Sequence, residues 1–240
     1  MRRSSESGHR VVAIDGPAGT GKSTTARRVA AALGWGYVDS GAFYRVAALL
    51  ALRRELDLAD AHDQRALRGA LDAARIEQDS VGGRLHTWVD GEDVTDAIRS
   101  PAVTAVVPRV ADDPELRAIV NEALRHRADE GPVVIDGRDI GTVVFPDAFL
   151  KLYLDASIEE RARRRAAEVE PLDRATDPSV LASYAQAIAE RDRADRARAR
   201  GALAAAPDAV HVDTNDLDLD TQIARVLQLL RERGGEPSSG

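Results

Sequence analysis

With 240 residues, the chain has room for one large domain, or for a compact core that carries a small insert. Apolar residues make up 44% and charged residues 30%, so a sizeable core under a well-solvated surface is expected, and a formal charge of −7 argues against a general nucleic-acid binder. The complete lack of cysteine excludes disulfides, thiolate zinc sites and a cysteine nucleophile.

His9, His62, His86, His126 and His211 are scattered without HExxH-like spacing and read as surface or packing residues. The opening MRRSSESGHR has no apolar stretch behind it, and no apolar run reaches the ~18 residues of a membrane span. The expectation is a soluble, cytoplasmic protein with no membrane contact. Residues 1–9 and 233–240 read as frayed tails.

In chain order, Val11-Val12-Ala13-Ile14 is a short apolar run that ends at Asp15 and a glycine-rich turn, the pattern of a buried parallel strand. Ala26, Val29, Ala30 and Leu33 recur at helical spacing, and Gly34 stands where a C-cap belongs. A short strand and turn at Gly36–Ser40 lead into a helix through about Arg54. The stretch 58–107 changes character. One helix (Asp63 to Ala74) precedes β-like pieces near 75–78 and 85–90, with tight turns at Gly82-Gly83 and Asp90-Gly91. A helix follows from Pro114 to Asp129, then buried strands at Val133–Asp136 and Leu150–Asp155. Ser157 can cap the next helix, which carries Arg161, Arg163, Arg164 and Arg165. Glu168 to Asp177 reads as a mobile loop, Pro178 to Arg200 as a long helix, and Val210–Val212 as a last strand before an amphipathic helix with Ile223, Val226, Leu227 and Leu230.

This rhythm predicts an α/β fold with a parallel sheet covered by helices on both faces. The core of this fold is assigned to 10–57 and 108–232, interrupted by a small α+β insert at 58–107.

Gly16-Pro17-Ala18-Gly19-Thr20-Gly21-Lys22-Ser23 matches G-x4-G-K-[ST] in full, directly after a buried strand and at the start of a helix. The glycines let main-chain N–H groups turn inward around a β-phosphate, and the helix N-terminus adds partial positive charge there. Lys22 reaches the β- and γ-phosphates, and the Ser23 hydroxyl can ligate Mg²⁺. The motif does not name the acceptor of the phosphoryl group.

Three clusters bear on the acceptor. Asp39-Ser40-Gly41-Ala42-Phe43-Tyr44-Arg45 follows the second strand, with Arg45 one helical turn beyond Gly41. Asp136-Gly137-Arg138-Asp139-Ile140-Gly141 follows a buried strand, at the sheet end where α/β proteins bind ligands. In ERDRADRAR, Arg191, Asp195 and Arg198 are spaced by four and three and share one helix face. Taken alone, Arg191/Asp195 reads more readily as an ordinary solvated ion pair than as a site, and the run Arg161–Arg165 as ordinary surface. Together the arginines make a positive funnel in an acidic protein, as transfer between two polyanions needs. No candidate base is required if the acceptor is itself a phosphate, whose second pKa is about 6.

IDGPAGTGKST (14–24), DSGAFYR (39–45), DGEDVTDAIRS (90–100), DGRDIGTVVFPDA (136–148) and ERDRADRAR (190–198) resemble, in order and spacing, the bacterial cytidylate kinase family. The likeness runs from about Val11 to Leu230. It implies a P-loop NTPase kinase core with five parallel strands, a nucleoside-monophosphate-binding region enlarged by the insert at 58–107 and a short lid at about 164–177, and transfer of the γ-phosphoryl group of ATP to CMP or dCMP with Mg²⁺. ATP would lie on Gly16 through Thr24, with Lys22, Arg138, Arg198 and the lid residues Arg164 and Arg165 acting on the transferred group. At the CMP site, which includes Ser40, the resemblance assigns Arg45, Arg138 and Arg198 to the phosphate. Arg191 and Asp195 go to the ribose hydroxyls, and Arg117 and Asp139 to cytosine. A carboxylate suits the exocyclic amino donor of cytosine and would face the carbonyl of uracil unpaired. One departure stands out: Pro108 occupies a place where the family commonly has serine, leaving Thr104 as a substitute or the base one contact short.

Three other readings compete with this one. A P-loop GTPase switch would carry N-K-x-D, and neither Asn121 nor Asn215 begins one. A kinase of a non-nucleotide acceptor would lack the DGRDIGTVVFPDA and ERDRADRAR stretches. A broad UMP/CMP kinase differs only in base selectivity, and Pro108 keeps it open. A monomer is expected, because nothing suggests a large apolar interface.

Overall fold

The computed structural model describes residues 11–198 and 201–234, so the expected tails lie outside the described residues except for Arg233 and Gly234. The chain divides into two compact units, one formed by the residues up to Gly36 together with those from Gly131, the other by Tyr37–Glu130.

The first unit begins with β1 (Val11–Asp15), all five residues of which are buried, as a parallel strand covered on both faces requires. A turn delivers the chain into α1 (Lys22–Leu33), whose buried stripe is Thr25, Ala26, Val29, Ala30 and Leu33. Gly34 ends α1 in the left-handed conformation and donates to Ala30 O and Ala31 O, as its position predicts. The short β2 (Gly36–Asp39) stands at the boundary between the units.

In the second unit, Asp39 caps α2 (Ser40–Arg53) by accepting from Ala42 N. α3 (Ala61–Ala73) is capped by Asp60, then β3 (Ile76–Val81), β4 (Arg84–Val89) and β5 (Glu92–Asp93) form an antiparallel meander. Both turns are two residues long with positive φ throughout, 59° and 80° at Gly82-Gly83 and 53° and 84° at Asp90-Gly91. That is the geometry matching strand twist, and it explains the sequence found there. A 3₁₀ turn at Ala97–Arg99 leads to α4 (Pro101–Asp112) and α5 (Pro114–Asp129). α4 has no counterpart in the sequence reading, and it carries Pro108 in its interior, where proline is disfavoured. The unit's core is Phe43, Val46, Leu67, Val94, Ile98, Leu116 and Leu124.

Back in the first unit, β6 (Val133–Gly137) ends in a π-turn at Ile140–Val144, and β7 (Leu150–Asp155) follows. Ser157 caps α6 (Ile158–Val169) by accepting from Glu160 N, and the helix takes in Glu168 and Val169 of the expected loop. Tight turns fill the rest of that stretch, where Arg174 N and Ala175 N both donate to Pro171 O. α7 (Pro178–Ala197) stops three residues short of the expected Arg200, with Arg198 extended. β8 (Val210–Asp213) and α8 (Leu219–Glu232) complete the unit. The five-stranded parallel sheet has the order β2-β6-β1-β7-β8, flanked by helices. β1 lies between β6 and β7, so the turn leaving β1 is central to everything that follows. Among the described residues, no helix is long and apolar enough to cross a membrane.

Candidate active site

The turn from β1 to α1 is residues 16–21, and its conformation could not be built from other residues. Gly16 has φ 146°, and a Cβ there would lie 2.0 Å from Leu154 O; Gly19 and Gly21 both have φ 82°. Within the turn, Thr20 Oγ1 donates to Pro17 O at 3.1 Å and Lys22 Nζ donates to the same oxygen at 2.6 Å. Burial pushes the Lys22 ammonium well below its ordinary pKa, and Arg138 adds to the effect, while Asp136 and Asp15 oppose it. A triphosphate in this cradle would supply the anion that favours the charged lysine.

Two carboxylates at strand ends organise the same region. Ser23 Oγ donates to Asp136 Oδ2 at 2.7 Å, which leaves the hydroxyl lone pairs available to a cation beside a carboxylate. Asp15 is buried at the end of β1 and accepts from Ile140 N at 2.9 Å and Gly141 N at 2.7 Å. It thereby fixes the loop that carries Arg138 and Asp139. Burial raises the Asp15 pKa to about 7, against the two amides that lower it; Asp139 adds to the rise and Lys22 offsets it.

A third group centres on α7. Asp195 receives Arg138 Nε at 2.9 Å on Oδ2 and Arg198 Nη1 at 2.9 Å on Oδ1, so its carboxylate holds two of the guanidinium groups expected at the acceptor. Arg138 Nη1 also donates to Gly16 O at 3.1 Å. One turn earlier on α7, Asp192 Oδ2 receives Arg161 Nη1 at 2.6 Å, and the same Nη1 lies 3.2 Å from Ala18 O. Arg161 Nε donates to Ala156 O at 3.0 Å. Arg191, also expected here, is exposed on α7, and Asp139 is buried beside the π-turn.

The lid arginines are engaged otherwise. Arg164 Nε donates to Glu160 Oε1 at 2.7 Å and Arg164 Nη1 to Thr214 Oγ1 at 3.1 Å, with a further bond from Nη2 to Thr214 O. Arg165 makes a solvated pair with Glu168 at 3.1 Å. Their partners sit on α6 and on the loop after β8.

The remaining expected residues belong to the second unit. Ser40 is buried at the start of α2. Arg45 Nη1 donates to Thr104 Oγ1 at 3.1 Å. Arg117 is buried, donates to Ala111 O at 3.1 Å, and places its guanidinium 5.4 Å from the centroid of the Tyr44 ring. The expected cytosine pair, Arg117 and Asp139, is thus divided between the two units. Pro108 follows Thr104 by one turn of α4, and both are exposed. Elsewhere in this unit the exposed Asp60 and His62 come together with the half-buried Asp63 at the α3 N-terminus, where Asp60 serves as the cap.

Asp15, Asp136, Arg161 and Asp192 stand in stretches quoted from the sequence but receive no role at the site there. For Asp15 and Asp136 a signal exists, because each is a carboxylate that closes a buried apolar strand and so reaches the ligand end of the sheet. Arg161 sits among four arginines in five residues, and what separates it from the others is its burial against Asp192 and Ala18 O, which the fold supplies.

A phosphate loop after a buried parallel strand, with a hydroxyl–carboxylate pair at its foot, makes this a P-loop nucleotide-binding protein, and the arginine-laden helix α7 suits phosphoryl transfer better than signalling. The family profile described as "Cytidylate kinase" matches residues 12–232. A cytidylate kinase from Pelotomaculum thermopropionicum is 44% identical over 90% of this chain and 93% of its own length. One from Geobacillus thermodenitrificans is 45% identical over 93% of this chain and 97% of its own. The chain belongs to the cytidylate kinase family.

Proposed function

We propose that the protein transfers the γ-phosphoryl group of ATP to CMP or dCMP, giving ADP and CDP or dCDP. The observation that carries this is Arg138, whose one guanidinium joins Gly16 O of the phosphate loop to Asp195 of α7. In this reading Arg138 would lie between the donor γ-phosphate and the acceptor phosphate.

In this reading an acceptor phosphate oxygen attacks the γ-phosphorus in line, and the bond from that phosphorus to the β,γ-bridging oxygen breaks. The acceptor oxygen needs no base, since its second proton is largely lost at neutral pH. Lys22 and the loop amides hold the β- and γ-oxygens, while Arg138, Arg198 and Arg45 neutralise the acceptor. Ser23 and Asp136 offer hard oxygen donors of the kind Mg²⁺ takes, and they would hold it beside the phosphates. Bound there, Mg²⁺ would offset charge building on the phosphate oxygens. Asp195 and Arg191 would bind the ribose, and Asp139 with Arg117 the cytosine. Arg164 and Arg165 would reach the γ-phosphate only by leaving Glu160, Thr214 and Glu168. We take the enzyme to act as a monomer in the cytoplasm.

A broader UMP/CMP kinase is the second reading, favoured by Pro108, which offers no side-chain hydrogen bond. Measuring ADP release with ATP, Mg²⁺ and each nucleoside monophosphate in turn separates the two. CMP and dCMP should be used best, with CDP and dCDP identified as products. Equal use of UMP would establish the broader kinase, and no turnover with any monophosphate would reject both.

A further inference from the structure

The two carboxylates on α7 do parallel things. Asp192 and Asp195 are three residues apart on one helix face, and each holds an arginine that also donates to a carbonyl of the phosphate loop. Arg138 serves Asp195 and Gly16 O; Arg161 serves Asp192 and Ala18 O. The two struts differ in access. Arg138 is part-exposed and belongs to the proposed acceptor site, so its partners are open to exchange with a phosphate. The Arg161 and Asp192 side chains are sealed, at 3% and 2% exposure.

Resting on the kinase reading above, we propose that the Arg161–Asp192 pair is a positioning strut that ties the triphosphate loop to α7 and makes ATP and CMP binding depend on each other. Three observations support it. A trans peptide points its C=O and N–H in opposite directions, so gripping Ala18 O sets the direction of the Gly19 N–H, one of the amides offered to phosphate. The loop rests directly on the strut, because a Cβ on Gly19 would lie 3.1 Å from Arg161 Cβ. Finally, among the described residues no hydrogen-bond partner reaches the buried Asp192 Oδ1, and Arg161 holds that carboxylate through Oδ2. A pair kept for stability alone gains little over apolar packing once desolvation is counted. What apolar packing cannot do is hold a loop carbonyl and an acceptor helix with one rigid fork of donors.

Any shift of Gly19 on binding a triphosphate is passed through Arg161 to Asp192, and from there to Asp195 and Arg198 within two turns of helix. CMP held by those residues meets a helix already placed.

The test is calorimetric. The CMP dissociation constant is measured for the wild type, Asp192→Asn and Arg161→Lys, each with and without a saturating non-hydrolysable ATP analogue and Mg²⁺. The wild type should bind CMP more tightly with the analogue, by a factor in the range of about 5 to 150 usual for linked sites. In both variants the ratio should fall to about 1, with CMP affinity in the absence of analogue close to wild type. Arg193→Ala, an exposed neighbour on α7, should keep the wild-type ratio. Arg161→Lys keeps the charge but not the fork, so a ratio lost there too, in a protein melting near the wild type, separates positioning from mere stability. A wild-type ratio near 1, or an Asp192→Asn enzyme that keeps the wild-type ratio, would overturn the strut. Failure of the wild type to phosphorylate any nucleoside monophosphate is a different result and would remove the kinase reading itself.

Discussion

The donor cradle and the acceptor residues are built on opposite plans. The cradle is contiguous, 16–24, and its shape is set by main-chain conformation: positive φ at Gly16, Gly19 and Gly21, and Pro17 O holding both Thr20 and Lys22. The acceptor residues come from α2, α5, the loop after β6 and α7, and they fall into two compact units. Their guanidinium groups already have partners: Thr104 for Arg45, Ala111 O and the Tyr44 ring for Arg117, and Asp195 for Arg138 and Arg198. A cradle of amides is ready before its ligand arrives. A set of paired side chains has to trade one partner for another, so its affinity is a difference between two sets of hydrogen bonds.

Removing the cradle's one charged side chain should have the largest effect. Lys22→Ala takes the ammonium from the foot of the loop and should lower kcat by about 10³-fold, the size seen when a charge-stabilising donor is lost. CMP binding should change by only a few-fold, because the acceptor residues are untouched. Steady-state ADP release and CMP calorimetry on the same preparation would check both halves. Near-normal turnover would show that the cradle does not need the lysine, and the contrast between preset donor site and exchanging acceptor site would fail at its strongest point.

The acceptor side is tested with Asp139→Ala. Loss of one hydrogen bond to a charged group is worth about 1.5–3 kcal/mol, so kcat/KM for CMP should fall by roughly 10- to 100-fold. The ATP dissociation constant should stay within a few-fold of wild type, and the preference for CMP over UMP should shrink toward parity. A variant that keeps its full preference would take base reading away from Asp139 and leave it to residues of the second unit.

The same division governs how much could be read in advance. The strand, loop and helix from Val11 to Gly34 are legible because every determinant is local: an apolar run, glycines at fixed places, a C-cap. The turns at Gly82-Gly83 and Asp90-Gly91 are legible for the same reason. α4, which carries Pro108 in its interior, was hidden, although Ser100 as N-cap and Pro101 at the first turn announce a helix there. The partners of Asp195 were hidden in another way. Arg191 stands four residues off and suggests a local pair, while the bond from Arg138 spans 57 residues and depends on the fold. Arg161 shows the limit most plainly: in an arginine run, burial of one member is a property of packing.

Asp15 offers the mildest probe, because it touches neither nucleotide in the proposed reaction and acts on the loop between the two sites. Asn keeps one acceptor for the amides of Ile140 and Gly141 but turns an NH₂ toward the other, so Asp15→Asn should lower kcat/KM by only a few-fold, the effect of about 1 kcal/mol. Its pH behaviour is more telling. The folded carboxyl titrates at about 7 against an ordinary 3.8, so between those values the native protein holds a proton that the unfolded chain has released. Stability contributed by this group is therefore complete below about pH 4 and is lost as pH rises through 7. The variant has nothing to titrate at this position. Urea unfolding at stepped pH should show the wild type losing ground to Asp15→Asn from pH 4.5 to pH 7.5. A gap that stays constant over that window would mean that the two amides outweigh burial and keep the carboxylate ionised throughout. Asp15 would then belong with the preset cradle, and the loop carrying Arg138 and Asp139 would be as fixed as the glycines before it.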